Sequence, residues 1–385
     1  MAKSNFSTVP SASLAKALST VARASGKDPY QMVHVHAENS KLSLRCFNGT
    51  MGILAIIAAE DKGNAFDTTI DAQAFASLVS SMNGAVTISP SGKNGLQVQS
   101  GSVDVTLKGI NKELPDFEDK EAKKVLTING QDLLDLLRVS VCASTDEKLP
   151  VLNTVMFNIT SSETSTWATD SFRAATCLKP VGGETANILL PLVVVREMRS
   201  ISARATVTVK ISDKRVTLEA DDSGNVIKVT SPLGDGKYPA VTTIFDAMFA
   251  ADGVKFTLDA GTMSKAARQA KTLGADTVAI HTNNGNLCLL AKSQTASYNN
   301  TITKVDGDIS IFLDPGFLSE GMGLFADNPE VLFLDTKKPL CAKEGDLRVL
   351  FMPKQPPAEK KTEEAEAVEA KPVAVNAEQP AEVAA

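Results

Sequence analysis

The sequence contains few of the side chains that build metal sites or disulfide frameworks. It has three histidines and five cysteines in 385 residues, and no two cysteines form a Cys-x-x-Cys pair. We therefore interpret the cysteines as small buried hydrophobes and expect no zinc centre. His34 and His36 alternate on a predicted strand and share one face, whereas His281 stands alone. Ordinary surface or core histidines are the favoured interpretation.

Long apolar runs are also missing. No run approaches the ~18 residues of a membrane-spanning helix, and the N-terminus lacks the charged-then-apolar pattern of a secretory signal. A cytoplasmic protein is therefore expected. Catalytic signatures are missing too, because no histidine lies close in sequence to Ser171 and Gly182-Gly183 is not a phosphate loop. We predict no catalytic residue, metal or cofactor; a metal-dependent nuclease with scattered carboxylates is the less favoured alternative.

Positive charge is not in excess, since the formal net charge is −6. Affinity for DNA comes mostly from neutralising phosphates, so this value argues at first sight against a nucleic-acid partner. The charge is unevenly placed, however. Residues 356–385 hold seven Glu, three Lys and no aromatic residue. Such a composition cannot bury a core, so a disordered acidic tail is expected to carry most of the negative charge.

What the chain does contain is a threefold pattern with a period of about 120 residues. In each unit an amphipathic helix comes first, a second helix follows midway, alternating strands form hairpins, and a proline closes the unit. This predicts an α+β protein with two helices packed on antiparallel sheet in each domain. The predicted domains are 1–122, 123–246 and 247–355, followed by the tail 356–385. The markers are Leu14, Leu133 and Met263 in the first helices, Asp71, Pro191 and Asp314 at the second helices, and Pro115, Pro239 and Pro353 at the ends.

Helical projection at 100° per residue separates apolar faces from basic faces on three helices. For any single helix an ordinary solvated surface is an equal alternative. Three such faces favour weak, sequence-independent attraction to phosphates. Other helices temper this interpretation, because Arg138 lies among Asp132 and Asp135 and the last helix contributes Glu320. The basic positions on the three faces are Lys16, Arg23, Arg196, Arg199, Lys265, Arg268 and Lys271.

The most distinctive stretch runs from Trp167 to Cys177, where strand-like residues break at Asp170-Ser171 and resume at once. Asp and Ser make such turns by bonding nearby backbone amides, and alone this would be an ordinary Asx-turned hairpin. Three other segments accompany it, namely Leu149-Pro-Val-Leu-Asn153, Gly236-Lys-Tyr-Pro239 and Arg348-Val-Leu-Phe-Met-Pro353. In this order the four segments resemble the bacterial DNA polymerase III β subunit, the sliding clamp. The resemblance covers about Val9 to Pro353.

The resemblance implies a three-domain DNA clamp. In that family two subunits form a head-to-tail ring whose helices surround duplex DNA, and the ring acts as a processivity factor for the replicative polymerase. The basic helix faces would then face DNA, together with Arg138 and the loop residues Lys27 and Lys148. The segment after Lys27 departs from the family's usual pattern and is the least similar part. A non-DNA scaffold of three tandem binding modules is the alternative.

In the same family a hydrophobic groove accepts short peptides from polymerases and clamp loaders. By resemblance this groove, here called the partner cleft, is built from the turn in domain two, the chain near Pro239 and the C-terminal strand. Ala174 replaces a usual Leu, which should change the pocket floor, and Thr243 replaces an often basic residue. Arg173 is expected to contact peptide carbonyls or carboxylates at the rim, whereas Leu152 alone would suit an interdomain core. The partner-cleft residues are Leu152, Thr169, Ser171, Phe172, Arg173, Ala174, Pro239, Thr243, Ile244, Leu350, Phe351, Met352 and Pro353.

Ring closure needs a partner for an apolar edge strand. Val103, Val105 and Leu107 alternate on a predicted strand, and such an exposed edge is an aggregation hazard unless something covers it. The resemblance places Val105 and Leu107 of domain one against the helix end around Leu273 in domain three of a second subunit. Twofold symmetry then gives two equal joints and a homodimer. No membrane partner is expected.

Overall fold

The computed structural model describes residues 5–356, in which helices alternate with exclusively antiparallel strand pairs. The predicted α+β class is confirmed. The predicted acidic tail lies outside the described residues apart from Pro356. Within the described part of the chain, no helix is long and apolar enough to cross a membrane.

Four of the seven helices in residues 5–356 begin where the sequence supplies a side-chain cap. The side chains of Asp71, Asn129, Asp259 and Asp314 each accept a hydrogen bond from a backbone N–H in the first turn. The six predicted helix openings are confirmed to within a few residues, and a further helix, unpredicted, runs across the predicted boundary at 246. The helices are α1 (Ser11–Val21), α2 (Ala72–Ser80), α3 (Gly130–Leu137), α4 (Leu192–Met198), α5 (Val241–Phe249), α6 (Ala260–Thr272) and α7 (Pro315–Met322), with 3-10 turns at Ala22–Ala24 and Arg138–Cys142.

The strands follow the period-two alternation of apolar and polar residues. The hairpin turn at Asn284-Gly285 has φ values of 49° and 74°, the left-handed backbone that Asn and Gly adopt most readily. In chain order the strands are β1 (Phe6–Pro10), β2 (Met32–Glu38), β3 (Lys41–Phe47), β4 (Gly52–Ala58), β5 (Glu60–Lys62), β6 (Phe66–Asp71), β7 (Ala85–Ser91), β8 (Gly95–Ser100), β9 (Val103–Leu107), β10 (Lys123–Asn129), β11 (Thr154–Ile159), β12 (Thr164–Thr169), β13 (Arg173–Lys179), β14 (Ala186–Pro191), β15 (Thr206–Ile211), β16 (Arg215–Asp222), β17 (Asn225–Pro232), β18 (Val254–Thr257), β19 (Val278–Asn283), β20 (Asn286–Lys292), β21 (Ser297–Lys304), β22 (Ser310–Leu313), β23 (Glu330–Phe333), β24 (Leu340–Glu344) and β25 (Leu347–Phe351).

Two eight-stranded sheets are built from strands of successive repeats. One has the order β10-β15-β16-β17-β4-β3-β2-β6, and Val226 of β17 lies opposite Ile56 of β4. The other has the order β14-β11-β12-β13-β25-β24-β23-β18, and Ala174 of β13 lies opposite Leu350 of β25. Two smaller sheets complete the series, with the orders β5-β1-β7-β8-β9 and β21-β20-β19-β22. Each repeat is therefore joined to the next by backbone hydrogen bonds.

The helices bury their apolar faces against these sheets. Leu14, Leu18 and Val21 of α1 are buried where α1 packs on α2, β3 and β4. Small residues bring α6 close to α7, and Ser264 Oγ donates a hydrogen bond to the Ser319 carbonyl oxygen at 2.7 Å. Burial of this apolar surface is the main source of stability. The basic residues Lys16 of α1 and Lys265, Arg268 and Lys271 of α6 stay exposed.

Candidate functional site

The turn between β12 and β13 is held by its own side chains. Asp170 Oδ1 accepts hydrogen bonds from the N–H groups of Phe172 (3.0 Å) and Arg173 (2.9 Å). Thr169 Oγ1 donates to the Arg173 carbonyl oxygen at 2.7 Å, and Ser171 has a φ of 77°, in the left-handed region. The predicted Asx turn is confirmed. It makes the Phe172 side chain stand out from the sheet, where it is 61% exposed.

Arg173 is buried beneath this turn, with its side chain 6% exposed. Its Nε donates to Asp170 Oδ2 at 2.9 Å, and its Nη1 donates to Glu320 Oε2 of α7 at 2.7 Å. The guanidinium lies 4.6 Å from the ring centroid of Phe317, which in turn stacks on Phe172. The expectation that Arg173 contacts a peptide from the rim is therefore corrected, because its side chain is buried and two carboxylates already bind its guanidinium.

Strand β25 extends the partner cleft from the turn. Ala174 lies opposite Leu350, and the Met352 N–H donates to the Phe172 carbonyl oxygen at 2.9 Å. Leu350 and its neighbour Phe351 are buried, whereas Met352 is 43% exposed. The exposed side chains of Phe172 and Met352 thus come from adjacent strand ends, although they lie far apart in the sequence.

Helix α5 covers the neighbouring part of the sheet with aromatic residues. Phe245 is fully buried, and its ring centroid lies 5.3 Å from that of Trp167 and 6.0 Å from that of Phe249. The same apolar cluster contains Ala174 and Leu350. Ala174 therefore packs in an apolar cluster to which Trp167, Phe245 and Phe249 contribute aromatic rings.

The exposed side chains of the partner cleft include three large apolar ones. Ile244 on α5 is 50% exposed, and together with Phe172 and Met352 it accounts for three of the seven exposed large hydrophobic side chains in residues 5–356. The remaining predicted cleft residues surround this surface at different depths. Ser171, Pro239 and Thr243 are exposed, Leu152 and Pro353 are half-buried, and Thr169 is buried.

A cavity of ≈ 380 Å³ adjoins α5 and is lined by Trp167, Pro239 and Val241 among others. Tyr238 lines it too, and its hydroxyl donates a hydrogen bond to the Trp167 carbonyl oxygen at 3.4 Å. Burial raises the pKa of the Tyr238 phenol well above its usual range, so this hydroxyl stays a neutral donor. The cavity offers mixed polar and apolar walls next to the exposed apolar surface.

The predicted DNA-facing side chains are exposed, apart from Arg138, which is half-buried after α3. The acids beside Arg138 are neutralised by β13, because Lys179 Nζ lies 2.7 Å from Asp135 Oδ2 and 3.6 Å from Asp132 Oδ1. Among these predicted DNA-facing residues, those that are exposed and form no ion pair within residues 5–356 are Lys16, Lys27, Lys148, Arg196, Arg199, Lys265, Arg268 and Lys271.

Arg23 differs from this set because it bridges two repeats. Its Nη1 lies 3.0 Å from Glu197 Oε2 on α4 and donates to Ser200 Oγ at 3.2 Å. Glu197 is an acid on the helix that was expected to present only basic residues beside its apolar face, so that expectation is corrected. Its charge is neutralised by Arg23, and the exposed part of α4 keeps Arg196 and Arg199.

The predicted joint residues lie on or beside an edge strand of each small sheet. In the described chain β9 is the last strand of the five-stranded sheet and β21 the last strand of the four-stranded sheet. Val103 on β9 is 43% exposed, and Val105 and Leu107 are half-buried. Leu273 follows α6, which packs on β21, and is 42% exposed. Apolar side chains are thus exposed at or beside both edges.

Solved structures of bacterial β subunits share this architecture. The DNA polymerase III subunit beta of Pseudomonas aeruginosa is 18% identical, with a TM-score of 0.78 over 91% of this chain and 100% of that chain. The sliding clamp of the same species bound to griselimycin is 18% identical, with a TM-score of 0.81 over 92% and 100%. The DNA polymerase III beta chain of Streptococcus pneumoniae is 20% identical, with a TM-score of 0.80 over 92% and 100%. The chain has the sliding-clamp fold.

Sequence comparison identifies the middle third of this clamp fold independently. Residues 127–240 match the family model for the DNA polymerase III beta subunit, central domain. This range contains the stretch from Trp167 to Cys177, so the resemblance to the β subunit family is confirmed. A search of curated proteins gave no match.

Two residues that contact the predicted cleft residues were not predicted to do so. Phe245 lies on α5, whose apolar residues Val241, Phe245, Met248 and Phe249 recur at helical spacing, a pattern that could have predicted the helix. Glu320 meets the cleft turn from a position 147 residues away from Arg173, and no local pattern indicates that contact.

The cysteines of the clamp fold are all buried and free, which confirms their interpretation as small hydrophobes. Burial raises the pKa of the Cys46 and Cys142 thiols to about 12. His34 is half-buried on β2, and its pKa is lowered chiefly by burial and then by the charge of Arg45. Residues 5–356 contain no group of three or more His, Cys, Asp or Glu arranged to hold a metal ion.

Proposed function

We propose that the chain is a DNA polymerase processivity factor. Two copies form a ring around duplex DNA, and the ring tethers a replicative polymerase and a clamp loader through short peptides bound in the partner cleft. The protein acts in the cytoplasm, contacts DNA without reading its sequence, and catalyses no reaction itself.

The strand counts of the four sheets support this proposal most directly. Each internal sheet has eight strands, whereas the two end sheets have five and four, close to two halves of such a sheet. Pairing of β9 in one chain with β21 in another would complete a sheet of the internal kind. The same pairing at both ends closes a ring of two chains and covers the apolar edges.

The charge distribution suits DNA that passes through a ring rather than DNA that is held tightly. Unpaired basic side chains on α1, α4 and α6 attract phosphates, and contacts to phosphates carry no sequence information. Two acids on helices are neutralised by ion pairs, Glu197 of α4 by Arg23 and Asp135 of α3 by Lys179. Weak attraction of this kind allows movement along the duplex.

A topological assay tests the ring. The protein is loaded onto nicked circular plasmid by a clamp loader, and bound protein is separated from free protein by gel filtration. Protein that encircles DNA stays on the circle and is lost once the plasmid is cut at one site. Equal loss from circular and linear plasmid would contradict encirclement.

The partner cleft is tested separately with griselimycin, which is present in a P. aeruginosa sliding-clamp structure. We propose that the exposed apolar surface of this cleft binds the same compound. Calorimetric titration should show about tenfold weaker binding by Ile244→Asp and by Met352→Asp, because exposed apolar anchors dominate small interfaces. Val193→Asp, at a similarly exposed apolar residue on α4, should bind like the wild type. If all three variants bind the compound with the affinity of the wild type, the compound binds outside the cleft.

A further inference from the structure

Glu320 on α7 neutralises a cation in the wall of the partner cleft. Its side chain is 51% exposed, yet its Oε2 lies 2.7 Å from Nη1 of Arg173, which is 6% exposed. Asp170 of the cleft turn holds Nε of the same guanidinium at 2.9 Å. One buried cation is therefore shared between the turn and a helix of the third repeat.

The same guanidinium supports an aromatic surface. It lies 4.6 Å from the ring centroid of Phe317, and this ring stacks on Phe172 with 6.0 Å between centroids and 20° between planes. The other face of Phe172 is exposed. A peptide that enters the cleft from this side meets ring surface first, with the paired cation behind it.

The pairing decides what kind of side chain this wall favours. A guanidinium with free N–H groups recognises a carboxylate by two parallel hydrogen bonds. Here two carboxylates, of Asp170 and Glu320, already bind Arg173, so a peptide carboxylate would meet negative charge rather than a free cation. An apolar or aromatic side chain can stack on Phe172 without that penalty.

We infer that Glu320 is a positioning and specificity-determining residue of the partner cleft. By holding Arg173 it makes the wall of Phe172 and Phe317 select apolar or aromatic peptide side chains over acidic ones. This inference rests on the proposed peptide-binding function of the cleft.

A display library of randomised hexapeptides provides the test. Peptides bound to immobilised full-length protein are eluted with excess griselimycin, so that ligands of the cleft are recovered. Wild type should recover apolar and aromatic peptides. Glu320→Gln removes the carboxylate at Nη1 of Arg173, leaves the pair with Asp170 in place, and should raise the ratio of acidic-peptide to aromatic-peptide affinity about tenfold. Glu320→Asp, which keeps the charge, should retain the wild-type preference, and so should the double variant Arg173→Gln/Glu320→Gln, which lacks both charges.

The possible outcomes separate this inference from the proposed function. If the wild type yields no peptide that griselimycin displaces, the proposed function fails and the inference falls with it. If the wild type binds peptides and Glu320→Gln shows the same affinity ratio, the inference is overturned while the function stands. General loosening of the cleft would weaken both peptide classes equally and leave the ratio unchanged, so that result also counts against a role in selection.

Discussion

Reversing the charge of four helix residues should weaken the hold on DNA without unfolding the protein. Arg196 on α4, Arg199 directly after α4, and Lys265 and Arg268 on α6 are exposed and form no ion pair within residues 5–356. Substitutions at such surface positions change the free energy of unfolding by about 0.5 kcal/mol or less each. We therefore expect replacement by glutamate to change DNA binding and to leave the unfolding midpoint nearly unchanged.

The size of the effect follows from counterion release. Each phosphate that a basic residue neutralises contributes about −0.9 to the slope of log K against log salt concentration. A ring of two chains presents two sets of these four residues, so the slope should flatten by up to ~7 if every residue contacts a phosphate, and by about half that if one side of the ring touches the duplex at a time.

Fluorescence anisotropy of a labelled duplex between ~50 and ~200 mM salt measures this slope, and primer extension measures processivity. The matched control carries glutamate at four exposed lysines in hairpin turns and has the same change in net charge. A wild-type slope in the helix variant, or an equal loss in the control, would refute the reasoning. The control positions are Lys93, Lys214, Lys337 and Lys338.

Three further predictions follow from burial and from the proposed joint. Phe245→Ala should lower the free energy of unfolding by about 3–5 kcal/mol, because it empties a fully buried aromatic site. Ile244→Ala, at a half-exposed site, should lower it much less. Urea unfolding measures both variants, and equal losses would contradict the packing. The double variant Leu107→Asp/Leu273→Asp should be a folded monomer in light scattering, since burying an unpaired carboxylate in the proposed joint costs roughly several kcal/mol. A double variant that is still dimeric and is retained on circular DNA would contradict the assignment of these residues to the joint. Burial raises the pKa of the Cys142 thiol to about 12, so this thiol should resist thiol reagents in the native protein near pH 9, and rapid labelling would contradict that expectation. Because the fold favours the neutral thiol, the contribution of Cys142 to stability is complete below the unfolded pKa of about 9 and is lost as pH rises towards 12.

Local chemistry explains why parts of the fold were predictable from sequence. Asp71 and Asp314 cap helices through their own side chains, and Asp170 bonds amides two and three residues ahead. Such contacts depend on neighbours in the chain, so residue type and spacing are enough to indicate them. The period-two alternation of the hairpin strands is local in the same sense.

Contacts between repeats were not predicted, because no local sequence pattern indicates them. From the sequence alone Arg173 is expected to be available for a ligand, but in the structure it pairs with Glu320 of α7. Arg23 is likewise expected to be available for DNA, but it pairs with Glu197 of α4. In both pairs the two partners belong to different repeats. Resemblance predicts which residues surround the partner cleft, but whether a charge there is free or neutralised depends on packing.

The sheets shared between repeats determine where the proposed ring can open. At each seam five residues of β17 pair with β4, or five of β13 pair with β25, and the covalent chain crosses the seam as well. Swinging one repeat away from the next would break a row of backbone hydrogen bonds and expose a new apolar edge. Each chain should therefore move as one stiff unit, and in the proposed ring the admission of DNA should open the non-covalent joint between two chains before it bends either chain.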